Sequence, residues 1–249
     1  NYTLTFGAAT MTNVEALFLT AGYSYNLTLI DANVGLGQVL TIAGSGLGAG
    51  DALTFSGLGE TNGRFIIQGG AGNDNLAGGA GNDDISAGAG VNLLTGAGGN
   101  DLFRLYFGGT DTASGGEGDD SFLFGASFSS ADSVDGGAGY DVINLAGNYT
   151  IAFTASTIAN VEALYLTSGT NYNLTTVDAN VAAGQILTVA GAGLLAGDTL
   201  TFDGSAETNG RFNVQGGSGN DTITGGSGND DLSAGGGVNL LTVNGGSDL

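Results

Sequence analysis

The sequence predicts an all-β, parallel solenoid, and three observations carry that prediction. Short apolar runs alternate with period two along the chain. Glycine supplies 50 of the 249 residues while proline is absent. The sequence also repeats itself on two scales, one of nine residues and one of 147. Alternation of this kind puts one face of each strand inside. So much glycine would leave an ordinary domain short of core, but a solenoid coil needs only one turn and a few inward side chains. Repetition at a fixed period is the mark of coils that bury their apolar faces against one another.

The strands are read in order from the first residue. Tyr2-Leu4-Phe6, Leu17-Leu19, Leu27-Leu29, Leu40-Ile42, Leu53-Phe55 and Phe65-Ile67 are strands with alternate residues inward. Those ending at 29, 42, 55 and 67 recur every 12 or 13 residues between glycine, asparagine and aspartate, so two strands share a coil of about 25 residues. A β-sandwich has similar spacing. The parallel β-helix is preferred because a nine-residue unit follows in the same frame: ETNGRFIIQ (60–68) has Gly63 in its fourth place, Ile67 in its eighth, and Phe65 where an acid stands later.

That unit is explicit from Gly69 to Ser86, as GGAGNDNLA and GGAGNDDIS. It reads glycine-glycine-x-glycine-x-aspartate-x-apolar-x. Gly70, Gly72, Gly79 and Gly81 fill the second and fourth places, Asp74 and Asp83 the sixth, Leu76 and Ile85 the eighth. A flexible linker has no reason to hold an acid and an apolar residue at fixed places. A turn whose carbonyls converge on a hard cation does: glycine permits the turn, aspartate adds charged oxygen, and the last three residues make a short strand. The frame continues through AGAGVNLLT (87–95) with Asn92 in the acid's place, and GAGGNDLFR (96–104) with Asp101. After one inserted residue, Leu105, come Asp111 in 106–114 and then Gly116, Gly118 and Asp120 in 115–123. After three more inserted residues come Asp132 in 127–135 and Gly137, Gly139 and Asp141 in 136–144. The insertions are expected as corner bulges or a widening of the coil.

Residues 1–102 recur without a gap at 148–249, with about two thirds of positions identical. The second copy therefore supplies Gly217, Gly219, Asp221, Gly226, Gly228, Asp230, Asn239 and Asp248. Four segments follow: metal-poor coils at 1–68 and 148–215, metal-binding coils at 69–147 and 216–249. A tandem array of this kind is expected to extend into a longer chain.

The nine-residue units resemble the RTX nonapeptide repeat of secreted bacterial proteins. The resemblance implies a right-handed parallel β-helix passing into a β-roll, two units to the coil, with calcium held between turns two units apart by aspartates and glycine-region carbonyls. Several calcium ions are expected. Asn92 and Asn239 depart from the motif, and a neutral amide lacks the charge, so sites pairing Asp74 with Asn92 and Asp221 with Asn239 are expected to be weaker than Asp83 with Asp101. Asp51 and Asp198, in AGD turns, are secondary candidates. Glu60 with Arg64 and Glu207 with Arg211 read as exposed ion pairs, which contribute little stability. Glu15, Asp31 and their counterparts Glu162 and Asp178 read as turn or strand-end residues, and GSGLGAG (44–50) as a β-turn before a strand.

Composition bounds the function. With 24 acids against three arginines and a net charge of −21, anionic membrane surfaces and nucleic acid would be repelled. Histidine, cysteine and lysine are absent, which removes nucleophile–base sets and phosphate clamps, so no enzymatic activity is expected. Without cysteine, metal must replace disulfides where staples are needed. No apolar run is long enough to span a bilayer. The expected function is that of an extracellular structural protein at the bacterial cell surface, an adhesin, surface-layer or matrix-filament component stiffened by calcium, with self-association or cell-surface glycan as partners. The alternative is a secretion and folding module of a larger hydrolase or toxin exported by type I secretion. An ice-binding face is disfavoured, since alanine or serine, not threonine, stands third in the units at 71, 80, 218 and 227.

Overall fold

The computed structural model describes residues 1–249, and the chain forms parallel β-sheets with no α-helix. No helix is long and apolar enough to cross a membrane. The fold is the expected solenoid, divided into two compact units, Asn1–Phe122 with Gly137–Gly139, and Leu123–Gly136 with Tyr140–Leu249.

In the first unit one sheet stacks Tyr2–Thr5, Tyr25–Ile30, Leu53–Gly59, Asn75–Ala77, Gly90–Gly98 and Gly109–Glu117 in that order. The other stacks Ala16–Phe18, Val39–Ala43, Arg64–Gln68, Asp84–Ser86 and Leu102–Leu105, followed by Ser121–Phe124. Strands alternate between the sheets along the chain, so every coil contributes one strand to each. Leu40 pairs with Phe65 and Ile67 with Ile85, so the coil shortens from about 25 residues to 18 where the nine-residue units begin. In the second unit Val142–Leu145, Ala163–Leu166, Ile186–Ala190, Arg211–Gln215 and Asp231–Ser233 form one stack. Tyr149–Ala152, Tyr172–Thr175, Leu200–Asp203, Thr222–Thr224 and Leu240–Thr242 form the other, while Val134 pairs with Ile158.

The core is built of alternate inward residues stacked on their counterparts, two in strands such as Leu40 with Ile42 and Phe65 with Ile67, and one in the short strands of the nine-residue units. Leu76, Ile85, Leu94, Phe103 and Phe122, all in the eighth place, are fully buried. Each such side chain contributes about 1.5–3 kcal/mol of burial. Phe55 meets Phe65 edge to face with centroids 5.1 Å apart, and Phe202 meets Phe212 in the same way at 5.0 Å. Phe103 and Phe122 stack at 4.6 Å.

The first residue of each insertion extends a strand, while Gly125 and Ala126 pass into a turn. Leu105 and Phe124 are the last residues of their strands and are buried, so each insertion lengthens a strand by a second inward side chain. The coil accordingly grows from 18 to 19 residues between Asp83–Asp101 and Asp101–Asp120.

Candidate metal centre in the stacked glycine turns

Glycine at the second and fourth places lets one turn lie directly on the next. A Cβ on Gly116 would stand 2.2 Å from the carbonyl oxygen of Ala97, and one on Gly118 2.2 Å from that of Gly99. Gly70 rests on Leu47, Gly72 on the Asp51 carbonyl, Gly79 on the Glu60 carbonyl and Gly81 on that of Gly63. Gly137 and Gly139 rest on the carbonyls of Gly116 and Gly118. Gly217, Gly219, Gly226 and Gly228 lie in the same way on Leu194, Asp198, Glu207 and Gly210. The first-place glycine makes room for a side chain instead, because the aspartate of its own unit curls over it, and a Cβ on Gly78 would meet Asp83 Oδ2 at 2.1 Å. Backbone oxygens therefore form columns along the turns, at the spacing of the coils.

The turns take two conformations. Units 69–77, 78–86, 216–224 and 225–233 contain no residue with positive φ. Each of these lies on a metal-poor turn. Several later units pair positive φ at the second and fourth places: Gly88 and Gly90 at +83° and +101°, Ala97 and Gly99 at +86° and +99°, Gly116 and Gly118 at +117° and +115°, whereas unit 106–114 has it at Gly108 and Gly109, the third and fourth places. Ala97 is thus a residue with a Cβ in the left-handed region, a conformation that costs roughly 1 kcal/mol relative to glycine.

The sixth-place side chains point inward and form a ladder. Asp83 donates its N–H to Asp101 Oδ1 at 2.7 Å, and Asp101 donates its own to Asp120 Oδ1 at 2.7 Å. Phe65, in the same place one coil earlier, donates to Asp83 Oδ1 at 2.6 Å. The companion ladder runs from Leu53 to Asp74 (2.7 Å) to Asn92 (2.9 Å), and the Asn92 amide reaches Asp111 Oδ1 at 2.8 Å. In the second copy Leu200 donates to Asp221, Asp221 to Asn239, Phe212 to Asp230, and Asp230 to Asp248, all at 2.8–2.9 Å. The residues expected two units apart are therefore neighbours. Asp141 is buried as well, but its N–H goes to Glu162 Oε2 at 2.7 Å, so a glutamate ends that run. Asp132 is buried too, and its Oδ2 closes a local turn by accepting from Ser129 N (2.8 Å) and Oγ (3.0 Å). Asp51 and Asp198 tie their turns to the coil below, through Gly22 N and Gly169 N at 2.8 and 2.9 Å.

The second oxygen separates the sites. Asp74 Oδ2 and Asp83 Oδ2 each accept the second-place glycine N–H at 2.7 Å. Asp101, above Ala97, receives no such bond, and its Oδ2 is buried without a hydrogen-bond partner. Burial raises the pKa of the Asp74 carboxyl and pushes that of Asp83 up to about 6, against its bonds from Phe65 and Gly79. Asp101 is pushed up to about 8 by burial, with the charges of Asp83 and Asp120 adding and the bond from Asp83 opposing. Such a carboxylate lacks a counter-charge. No three acidic side chains converge anywhere, so an ion here would be held by one or two carboxylates together with turn carbonyls. Hard oxygen donors of that composition fit calcium.

Two features escape a reading of the sequence alone. Fifth-place asparagines make a second ladder: Asn73, Asn82, Asn220 and Asn229 each accept, through Oδ1, the N–H one coil on, at 2.8–2.9 Å, and Asn100 does so at 3.1 Å. Their recurrence beside the aspartates is the signal that could have revealed them. The expected Glu60–Arg64 and Glu207–Arg211 ion pairs do not form. Both glutamates turn inward and are buried, and Arg211 Nε donates instead to the Asn229 carbonyl at 2.5 Å. Arg104 does form an ion pair, with Asp84 at 2.8 Å.

Residues 67–103, 107–126, 128–147 and 213–249 match the family model of the RTX calcium-binding nonapeptide repeat, in four copies. No curated protein and no solved structure matches the chain.

Proposed function

Since these four stretches are RTX calcium-binding nonapeptide repeats, we propose that the chain is a non-enzymatic, extracellular structural protein whose stacked turns bind calcium and become rigid when they do. The supporting observation is Asp101 Oδ2, a buried carboxylate oxygen without a partner inside a column of turn carbonyls. In this reading Asp74, Asp83, Asp101, Asp111, Asp120, Asp141, Asp221 and Asp230 are the charged ligands, with the second- and fourth-place carbonyls as the neutral ones. Asn92, Asn239, Asp132 and Asp248 are weaker contributors. Each ion brings two positive charges into a chain of net charge −21, which relieves repulsion between stacked acidic turns.

The calcium dependence suits export. Extracellular calcium modules bind at about 10⁻⁴–10⁻³ M, far above resting cytosolic levels, so the chain would remain expanded inside the cell and fold outside it. Tandem copies favour a surface-layer, adhesin or matrix-filament role. Circular dichroism across a calcium titration tests the first part: a β spectrum should appear with calcium and be lost in excess chelator, and a spectrum indifferent to chelator would overturn it. Release of the native protein from the cell surface by chelator tests the second, and a cytoplasmic protein would overturn it.

A further inference from the structure

Two buried glutamates lie outside the nonapeptide turns, at corresponding places in the two copies. Glu60 is 1% exposed and Glu207 is 0%. Each closes an E-T-N-G turn with one carboxylate oxygen. Glu60 Oε1 accepts the N–H groups of Asn62 at 3.1 Å and Gly63 at 2.8 Å, and Glu207 Oε1 accepts those of Thr208, Asn209 and Gly210 at 3.1, 2.9 and 2.6 Å. The other oxygen, Oε2, is buried without a hydrogen-bond partner in both copies. The recess is built for the carboxyl: a Cβ on Gly63 would lie 2.5 Å from Val34 and 3.2 Å from the Glu60 carboxyl carbon, and Gly210 repeats this with Val181 at 2.6 Å and Glu207 at 3.1 Å.

A second carboxylate reaches the same place from the preceding coil. Asp31 opens the 3-10 turn Asp31–Asn33, and its carboxyl is held on Thr61 and Asn62, the two residues that follow Glu60 and whose turn the Glu60 carboxyl closes. Asp178 is held in the same way on Thr208, which follows Glu207. The donors on Asp31 all reach Oδ1: Thr61 N at 3.0 Å, Thr61 Oγ1, and Asn62 Nδ2 at 3.0 Å. Asp178 Oδ1 likewise takes Thr208 N at 2.8 Å and Oγ1 at 2.6 Å. Two adjacent carboxyls, one of them buried with a bare oxygen, repel each other when both are ionised, and a positive charge between them would relieve that repulsion and partner the bare oxygen. The arginines do not supply it, since neither glutamate forms an ion pair.

We propose that Asp31 with Glu60, and Asp178 with Glu207, form a second class of divalent-cation site that takes calcium between metal-poor coils, outside the RTX turns. Both carboxyls are hard oxygen donors, and Asp31 and Asp178 are themselves exposed, so each pair has one buried and one solvent-facing member. A cation there would tie the coil carrying Asp31 to the coil on which the unit 78–86 rests. The site goes beyond the calcium binding of the nonapeptide turns and does not depend on it.

The competing occupant is a single proton shared by the two carboxyls, and the test separates the two. In the whole chain, calcium stoichiometry by equilibrium dialysis and terbium luminescence would be compared for wild type, for E60Q/E207Q, for D31N/D178N, and for D83N/D101N as a control in the nonapeptide turns. Glutamine keeps the Oε1 acceptor and can donate to the aspartate, so it reproduces the proton-bridged form. Expected is a loss of two bound ions in both E60Q/E207Q and D31N/D178N, with the remaining ions unchanged, while D83N/D101N loses ions only from the other class. Wild-type stoichiometry in E60Q/E207Q, with melting at or above wild type, would overturn the proposal in favour of the proton. Should the buried glutamine variant not fold, unchanged stoichiometry in the exposed D31N/D178N would overturn it equally. Unchanged stoichiometry in D83N/D101N alone would count against the turn sites and leave this one standing.

Discussion

The N–H of Asp83 donates to Oδ1 of Asp101 across 2.7 Å, so the residue expected to hold a metal also carries a hydrogen bond between coils. These two roles use different properties of the side chain, because the bond needs an acceptor oxygen and the ion needs a charge. Variants at Asp101 can therefore separate them.

D101N should keep the ladder bond and lose the charge. We expect a higher melting temperature than wild type in chelator, because a carboxyl disfavoured by burial is replaced by a neutral group, and a lower melting temperature than wild type in millimolar calcium. D101A should lose in both conditions, by about 1–3 kcal/mol for the unsatisfied N–H of Asp83 alone. Thermal melts of both variants with and without calcium check this, and equal behaviour of D101N and D101A would mean that the ladder contributes nothing.

The metal-free fold should weaken as pH rises. The folded-state pKa values of Asp83 and Asp101 are raised, to about 6 and about 8, above the ordinary aspartate value of 3.8. With a raised value the folded state binds more protons than the unfolded one, so the stability present below about pH 4 is lost as pH rises through 6 and 8. Calcium, which replaces those protons, should reverse the trend and release protons on binding near neutral pH. Denaturant melts from pH 4 to 9, with and without calcium, read this directly. A metal-free protein most stable at pH 8 would refute it.

Ala97 holds φ at +86° in a place that glycine fills in the neighbouring turns. A97G should stabilise the chain by up to about 1 kcal/mol, the conformational cost of the Cβ there. G118A should do the reverse and more, since its Cβ would stand 2.2 Å from the Gly99 carbonyl oxygen at φ +115°. Chemical denaturation in calcium would rank the two, and a neutral G118A would show that the turns can separate without loss.

E60A should cost more than an exposed residue does. A surface pair with Arg64 would contribute less than about 1 kcal/mol. The side chain is instead 1% exposed and accepts two backbone N–H groups, so its loss should reach about 2 kcal/mol or more. Urea melts of E60A beside R64A would show the asymmetry.

Much of the architecture was legible because a solenoid writes its geometry into its period. The inward residues of the strands ending at Ile42, Phe55 and Ile67, and the stacking of Asp83 on Asp101, followed from alternation and spacing. Glu60 was not legible: a glutamate two residues before an asparagine reads the same whether it faces solvent or folds back over Gly63. The fifth-place asparagines are visible in the repeat, but their ladder depends on the stacking of coils that a single unit does not display. Leu105 and Phe124 were legible as either a bulge or a widening of the coil, and the chain takes the second course by lengthening strands.

The two ladders run in opposite directions. At the sixth place the earlier coil gives the proton and the later coil receives it; at the fifth place the later coil gives and the earlier receives. Adjacent coils thus meet like a two-pin plug and its socket, with unlike pins side by side. A slip of one residue one way would set oxygen against oxygen, and the other way N–H against N–H, so misalignment is penalised in either direction. Near-identical repeats are the sequences most exposed to that error, and here the parity check is written into neighbouring letters of the repeat itself.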